Sequence, residues 1–201
     1  MLVAPTSAPR AESVVLKAAD FREERGQLVV SAGFRELFDH ALRKQLRSGF
    51  ATTVVMRVYL YARDGGAAVA VSGQTLRAVY DLWDEVYLLR VEDARGNYYV
   101  RLRDQRQVVD RLTSFWRFPV GALARLRRGE GYFVAGVVEV NPMSPEVLAE
   151  VRRWLRNPSR QPRQVGGESF FGSFVSIFVN NKIRRAERTF KFRSQLHWRP
   201  R

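Results

Sequence analysis

The chain has 201 residues, 46% of them hydrophobic and 12% aromatic, with no cysteine. That length suits one ordinary domain with a tail or insertion, and the composition excludes a disordered chain, a disulfide framework and thiolate metal sites. The formal charge of +14 is unevenly spread: residues 151–201 hold 13 Lys and Arg against Glu168 and Glu187, 13 − 2 = +11, which leaves 21 − 18 = +3 for residues 1–150.

The first twelve residues, "MLVAPTSAPRAE", combine apolar and small residues without a basic start. "LVAPTSAPRA" has the form of the end of a secretory signal, although a cut after Ala11 would place Pro9 at the −3 position. An irregular leader fits the same residues. No apolar run reaches the roughly 18 residues of a transmembrane helix.

From residue 13 the periodicity is mainly that of strands. Residues 14–19 and 27–31 are expected to form a hairpin around a polar "FREERG" turn. "FRELFDHALRKQL" carries Phe34, Leu37, Phe38, Ala41, Leu42 and Leu46 at helical spacing. "TTVVMRVYLYA" alternates, with Val54, Met56, Val58 and Leu60 on one face and Val55, Arg57, Tyr59 and Tyr61 on the other. "RDGG" is a turn and "AAVAVSG" the returning strand. "DARGN" marks a second hairpin, after which Tyr98, Val100 and Leu102 alternate with Tyr99, Arg101 and Arg103. Asp104 is placed to cap a helix, with Gln107 as its capping-box partner and Val108, Leu112, Phe115 and Trp116 facing inward. "YFVAGVVEV" is nearly continuous in apolar residues and predicts a central strand.

"NPMSPEVLAEVRRWLRNP" predicts a further helix, with Ser144 as N-cap and Pro145 in its first turn. Residues 158–168 are a Pro-, Gly- and Arg-rich linker. Beyond it, Phe170, Phe171, Phe174, Val175 and Phe178 fall on one helical face, and "TFKFRSQLHW" alternates as a closing strand. The expected architecture is α+β and mainly antiparallel β, sandwich-like, with three or four helices. Its parts are a leader at 1–12, a β-rich domain at 13–157, the linker at 158–168, and a basic aromatic helix with a final strand at 169–201, packed on the same domain.

"YDLWDEVYLLRV", Tyr80 to Val91, sets Asp81, Asp84 and Glu85 around a tryptophan. It is expected to be a single strand, which sends Asp84 and Glu85 to opposite faces and puts Glu85 on one face with Trp83 and Tyr87; only a helical turn would gather all three acids. Catalysis by Asp84 and Glu85 is therefore an alternative, and the favoured reading is a non-catalytic chain. His40 and His197 are the only histidines, and the sequence contains no metal-spaced cluster, nucleophile elbow or phosphate loop. No cofactor is expected, and the sequence identifies no small-molecule substrate.

The basic tail points to an anionic partner. Arg184, Arg185 and Arg188 follow the aromatic cluster, as in an interfacial helix whose apolar face is flanked by cations. In that role Phe171, Phe174 and Phe178 would be the apolar anchors. The competing reading packs the same phenylalanines into the core. Single-stranded nucleic acid is the other option, but within residues 190–198 the aromatics and cations point to opposite faces, whereas a stacking platform needs both on one.

Three segments, "FRELFDHALRKQLRSGFATTVVMRVYLYAR", "LRAVYDLWDEVYLLRV" and "LTSFWRFPVGALARLRRGEGYFVAGVVEV", resemble in their order an uncharacterised bacterial family of small exported proteins. That family is a domain of unknown function often encoded beside an NtrY-type sensor kinase, and the likeness spans roughly residues 13–140. It implies a periplasmic or cell-envelope location and a domain that acts by binding, and it carries over no active-site residues. The expectation is an envelope interaction module that meets an anionic membrane or an acidic protein partner through its basic C-terminal segment. The alternatives are a cytoplasmic nucleic-acid binder and an enzyme using Asp84 and Glu85.

Overall fold

The computed structural model describes residues 14–143, 186–195 and 197–200. Among these residues ten strands form two sheets. The strands are β1 (Val15–Lys17), β2 (Asp20–Glu24), β3 (Gln27–Gly33), β4 (Thr52–Ala62), β5 (Ala70–Asp81), β6 (Val86–Asp93), β7 (Gly96–Leu102), β8 (Ser114–Ala122), β9 (Tyr132–Pro142) and β10 (Ala186–Ser194). Seven of them run in the order β1-β10-β9-β4-β5-β6-β7, and the other three in the order β2-β3-β8. Every pairing is antiparallel except that of β1 with β10. The class is α+β, dominated by antiparallel strands.

The centre of the large sheet forms where alternation is cleanest. β4 and β9 pair over nine positions, from Val54↔Val140 to Ala62↔Tyr132. Val54, Met56, Val58, Leu60, Val134, Val138 and Val140 all point to one face and are buried. Leu28, Val30, Phe115, Phe118 and Val120 of the small sheet meet them in a shared core. Phe34 sits at its middle, with ring centroids 5.4 Å from Phe115, 5.5 Å from Phe190 and 4.7 Å from Phe192.

Two helices close the core. In α1 (His40–Leu46) Asp39 caps the first turn by accepting from the Leu42 N–H at 3.1 Å, and Leu42 and Leu46 are buried. In α2 (Gln105–Leu112) Asp104 accepts from the Arg106 N–H at 2.8 Å, and Val108, Val109 and Leu112 are buried. The cap at Asp104 stands where its position before the apolar stripe placed it.

Several expectations are corrected. The first hairpin is β2–β3, closed by Arg25-Gly26 with φ of 49° and 75°, as a two-residue turn that follows the strand twist requires. The charged "DFREE" is therefore itself a strand, and Val15–Lys17 pairs in parallel with β10 instead. The single helix expected from Phe34 to Leu46 is broken into a 3₁₀ turn (Arg35–Leu37) and α1, because Asp39 caps a new start. The strand expected from Tyr80 to Val91 is a hairpin, with residues 82–85 in its turn. The stripe through Phe115 and Trp116 ends at Leu112: both residues lie on β8, where Phe115 is buried and Trp116 is exposed. Two α-helices occur among the described residues, against the three or four expected. The helix predicted from Ser144 and the aromatic one around Phe171, Phe174 and Phe178 lie outside those residues. Ala186–Arg188, expected at a helix end, begin β10.

Gly136 carries a stringent packing demand. A Cβ there would lie 2.5 Å from Phe192 Cε1 and 2.6 Å from the Arg57 carbonyl oxygen. One of those neighbours is the backbone of β4, which cannot yield without disturbing the central pairing. Gly136→Ala is expected to destabilise the fold by about 2 kcal/mol or more. The check is the chemical-denaturation midpoint against that of Gly33→Ala, where a Cβ meets nothing within 4 Å.

Candidate functional site

The acidic stretch forms one tip of the large sheet. β5 and β6 diverge after Asp81↔Val86, and the intervening Leu82-Trp83-Asp84-Glu85 is a turn. The Asp81 carboxylate accepts from the backbone N–H of Trp83 at 2.9 Å and of Asp84 at 3.1 Å. Those two bonds hold its pKa below the ordinary carboxylate value, the opposite of what a general acid requires. Asp84 accepts from the Arg101 guanidinium at 2.8 Å, and Glu85 adopts φ of 52°. The turn thus gathers Asp81, Asp84 and Glu85 locally, as a strand would not. It commits Asp81 to the backbone and Asp84 to an arginine.

The same turn presents apolar side chains to solvent. Trp83 is 96% exposed and Leu82 62%. The loop leaving α1 lies against it: a Cβ on Gly49, whose φ is 80°, would stand 3.3 Å from Leu82 Cδ1, and the next residue, Phe50, is 67% exposed. Three large apolar side chains therefore project from two touching loops. Arg101 and Arg103 line a depression beside Asp84 at this end. The Gln105 amide donates to the Arg43 carbonyl at 2.5 Å and ties the start of α2 to α1. Arg101 and Arg103 are thus the cations placed beside the acidic turn. Sequence periodicity missed this group because it placed Trp83 on a strand face beside Tyr87. The available signal was an acid-flanked "LW" between two β-rich runs.

A second surface is the outer face of the large sheet. Tyr61 and Phe133, neighbours across β4 and β9, stack at 5.4 Å with an interplanar angle of 17°, and Tyr59 lies 6.4 Å from Tyr61. From β10 the Arg193 guanidinium stands 4.0 Å from the Phe133 ring centroid, and the His197 ring meets Phe133 in a T-shaped arrangement with centroids 5.6 Å apart. Aromatics and cations separate within β10, but neighbouring strands bring both to one face.

Of the tail residues singled out by sequence, Arg188 lies on β10 and forms an ion pair with Asp39, the cap of α1. Arg184, Arg185, Phe171, Phe174 and Phe178 lie outside the described residues. Among the described residues no three His, Asp or Glu side chains are grouped to hold a metal ion, and no helix is long and apolar enough to cross a membrane.

Asp93, at the end of β6, is the acid with the clearest linkage to stability. Its side chain is 3% exposed and accepts from the Arg95 backbone N–H at 2.8 Å and from the Arg95 guanidinium at 2.5 and 3.1 Å. The guanidinium holds its pKa below the usual 3.8. A carboxylate lowered in this way stabilises the fold above its unfolded pKa, and the contribution is lost as pH falls through the folded value. Asp93→Asn is expected to lower Tm by roughly 2–8 °C at pH 7, with the gap to wild type closing below pH 3.8. Thermal scans across that range measure it.

No family model, curated protein or solved structure matches the chain.

Proposed function

We propose that the protein is a non-catalytic binding domain of the bacterial cell envelope that docks peripherally on an anionic membrane surface. The observation that carries this reading is the tip formed by Phe50, Leu82 and Trp83. A tryptophan 96% exposed at the end of a hairpin, beside two other exposed apolar side chains, has no role in the domain's own core. Exposed apolar groups clustered in this way mark a contact surface. Tryptophan favours the boundary between lipid headgroups and acyl chains, where its ring is buried and its N–H stays hydrated. Arg103 beside the turn adds attraction to anionic headgroups, while Asp84 is paired with Arg101 and Asp81 accepts from the turn's own backbone. The likeness to exported proteins supports the envelope location, and the sandwich-like arrangement leaves the ends of its strands free to carry such loops. The cationic C-terminal segment, with Arg184, Arg185 and Arg188, adds long-range attraction.

A second reading rests on a different surface. The Tyr59, Tyr61 and Phe133 rings, with Arg193 beside them, suit a single strand of nucleic acid, whose bases stack on rings while its phosphates meet arginine.

Sedimentation with vesicles of mixed phosphatidylcholine and phosphatidylglycerol tests the first reading. Replacing Leu82 and Trp83 together by Ser is expected to lower the partition coefficient at least tenfold, about 1.4 kcal/mol, with Tm unchanged because both side chains are already exposed. Wild-type partitioning by that variant removes the tip as the anchor. For the second reading, a fluorescent 15-nucleotide single strand should bind with an affinity that falls steeply with salt. Tyr61→Ala with Phe133→Ala should weaken it at least tenfold, and equal binding by that variant dismisses the outer face.

A further inference from the structure

The end of β5 opposite Trp83 is incompletely paired. β4 accompanies β5 as far as Leu60↔Ala70, whereas β6 begins to pair only at Gln74↔Asp93. Ala70–Gly73 therefore have a strand on one side and, among the described residues, none on the other. The cause is local. Asp93 captures the backbone N–H and guanidinium of Arg95, so the β6–β7 turn falls at Ala94-Arg95 and the chain leaves before reaching Gly73.

The vacated row is a cleft of about 530 Å³ between Val69 and the first four residues of β5, the 93–95 turn and residues 118–122 of β8. β8 forms its far wall and does not fill it. A Cβ on Gly121 would lie 3.2 Å from Leu60 and 3.4 Å from Ala70, so β8 crosses tightly at that point. Pro119 has no N–H to offer, and the β3–β8 ladder shifts register twice.

Among the described residues three other strand edges are protected, whereas β7, the far edge of the large sheet, is not. β1 is three residues long, β2 carries Asp20, Arg22, Glu23 and Glu24 among its five, and β8 has its proline and irregular register. Short length, charge, proline and bulges are the usual means of discouraging strand addition. The stretch Val69-Ala70-Val71-Ser72-Gly73 has no charge, proline or bulge, and Val69 and Val71 are 43% and 61% exposed.

We propose that this edge receives an extended peptide from a protein partner by strand addition, independently of membrane docking at the other end of β5. The peptide continues the row that β6 abandons. Four residues of edge span about 13 Å, enough for a segment of four or five residues. Backbone hydrogen bonds to Ala70–Gly73 supply affinity, and alternate side chains enter the cleft between the sheets. Its chemistry is set by the lining: β-branched or apolar residues against Val69, Val120 and Leu126, with one acid for Arg125. Arg125 lines the cleft without an ion pair among the described residues, while Arg95 is already taken by Asp93.

The test pans a random dodecapeptide phage library on the full chain and synthesises the enriched sequences. They are expected to alternate β-branched residues with at least one acid, and to bind at least tenfold more weakly to Val71→Lys and to Ser72→Pro. Arg125→Gln should weaken the acid-containing peptides about tenfold. Val71→Lys changes a side chain already in solvent, so an unchanged Tm separates lost binding from lost folding. The Leu82 and Trp83 double variant should bind these peptides as wild type does, which distinguishes failure here from failure of the membrane reading. Failure to enrich any peptide, or peptides that bind Val71→Lys and Ser72→Pro as tightly as wild type, overturns the proposal.

Discussion

At Gly136 the edge of the Phe192 ring stands where any other residue would place its side chain. Much of the described structure depends on that one accommodation. It lets β10 lie flush against β9, with Phe192 opposite Gly136 in the ladder. The ring then reaches Phe34 and Phe115, so the large sheet, the small sheet and the start of the first helical turn share one aromatic nucleus. β10 also carries β1 on its outer side, joining segments near the two ends of the chain. Cross-strand packing of an aromatic over a glycine is a known way to recover the contacts a glycine forgoes.

Charge is handled by short pairs rather than by burial. Arg57 meets Glu139 across β4 and β9, Arg117 meets Glu24, Arg188 meets Asp39, and Arg35 meets Asp110 at 2.9 Å. Most of these groups are well exposed, and such pairs contribute about 0–1 kcal/mol each. They orient long side chains more than they hold the fold. The chain's net charge of +14 leaves a surplus of cations beyond these pairs.

β5 organises the surfaces that remain. One end delivers Leu82 and Trp83 in a turn fixed by Asp81; the other has, among the described residues, an edge without a partner strand because Asp93 and Arg95 end β6 early. Both features are made by an aspartate accepting from backbone N–H groups two or three residues ahead, a local bond that competes with continued pairing. The strand ends are thus shaped by the residues that also terminate the strands.

Sequence alone determined what depends on local period and local chemistry. The two faces of β4, the central place of β9, the "DARGN" hairpin and the cap at Asp104 are all readable because side chains alternate strictly in a strand and a cap needs its acceptor at one position. Tertiary structure decided the rest. "DFREE" carries no apolar stripe, yet it is a strand because β3 offers it a partner. "SFWRFPVGA" was hidden by its proline and by Phe115 and Trp116 continuing a helical spacing that ends at Leu112. The exposure of Trp83 and Trp116 was not legible either, since an aromatic in a β-rich run is ordinarily core. The meeting of Tyr61, Phe133 and Arg193 depends on which strands become neighbours, and that is settled only when distant segments pair.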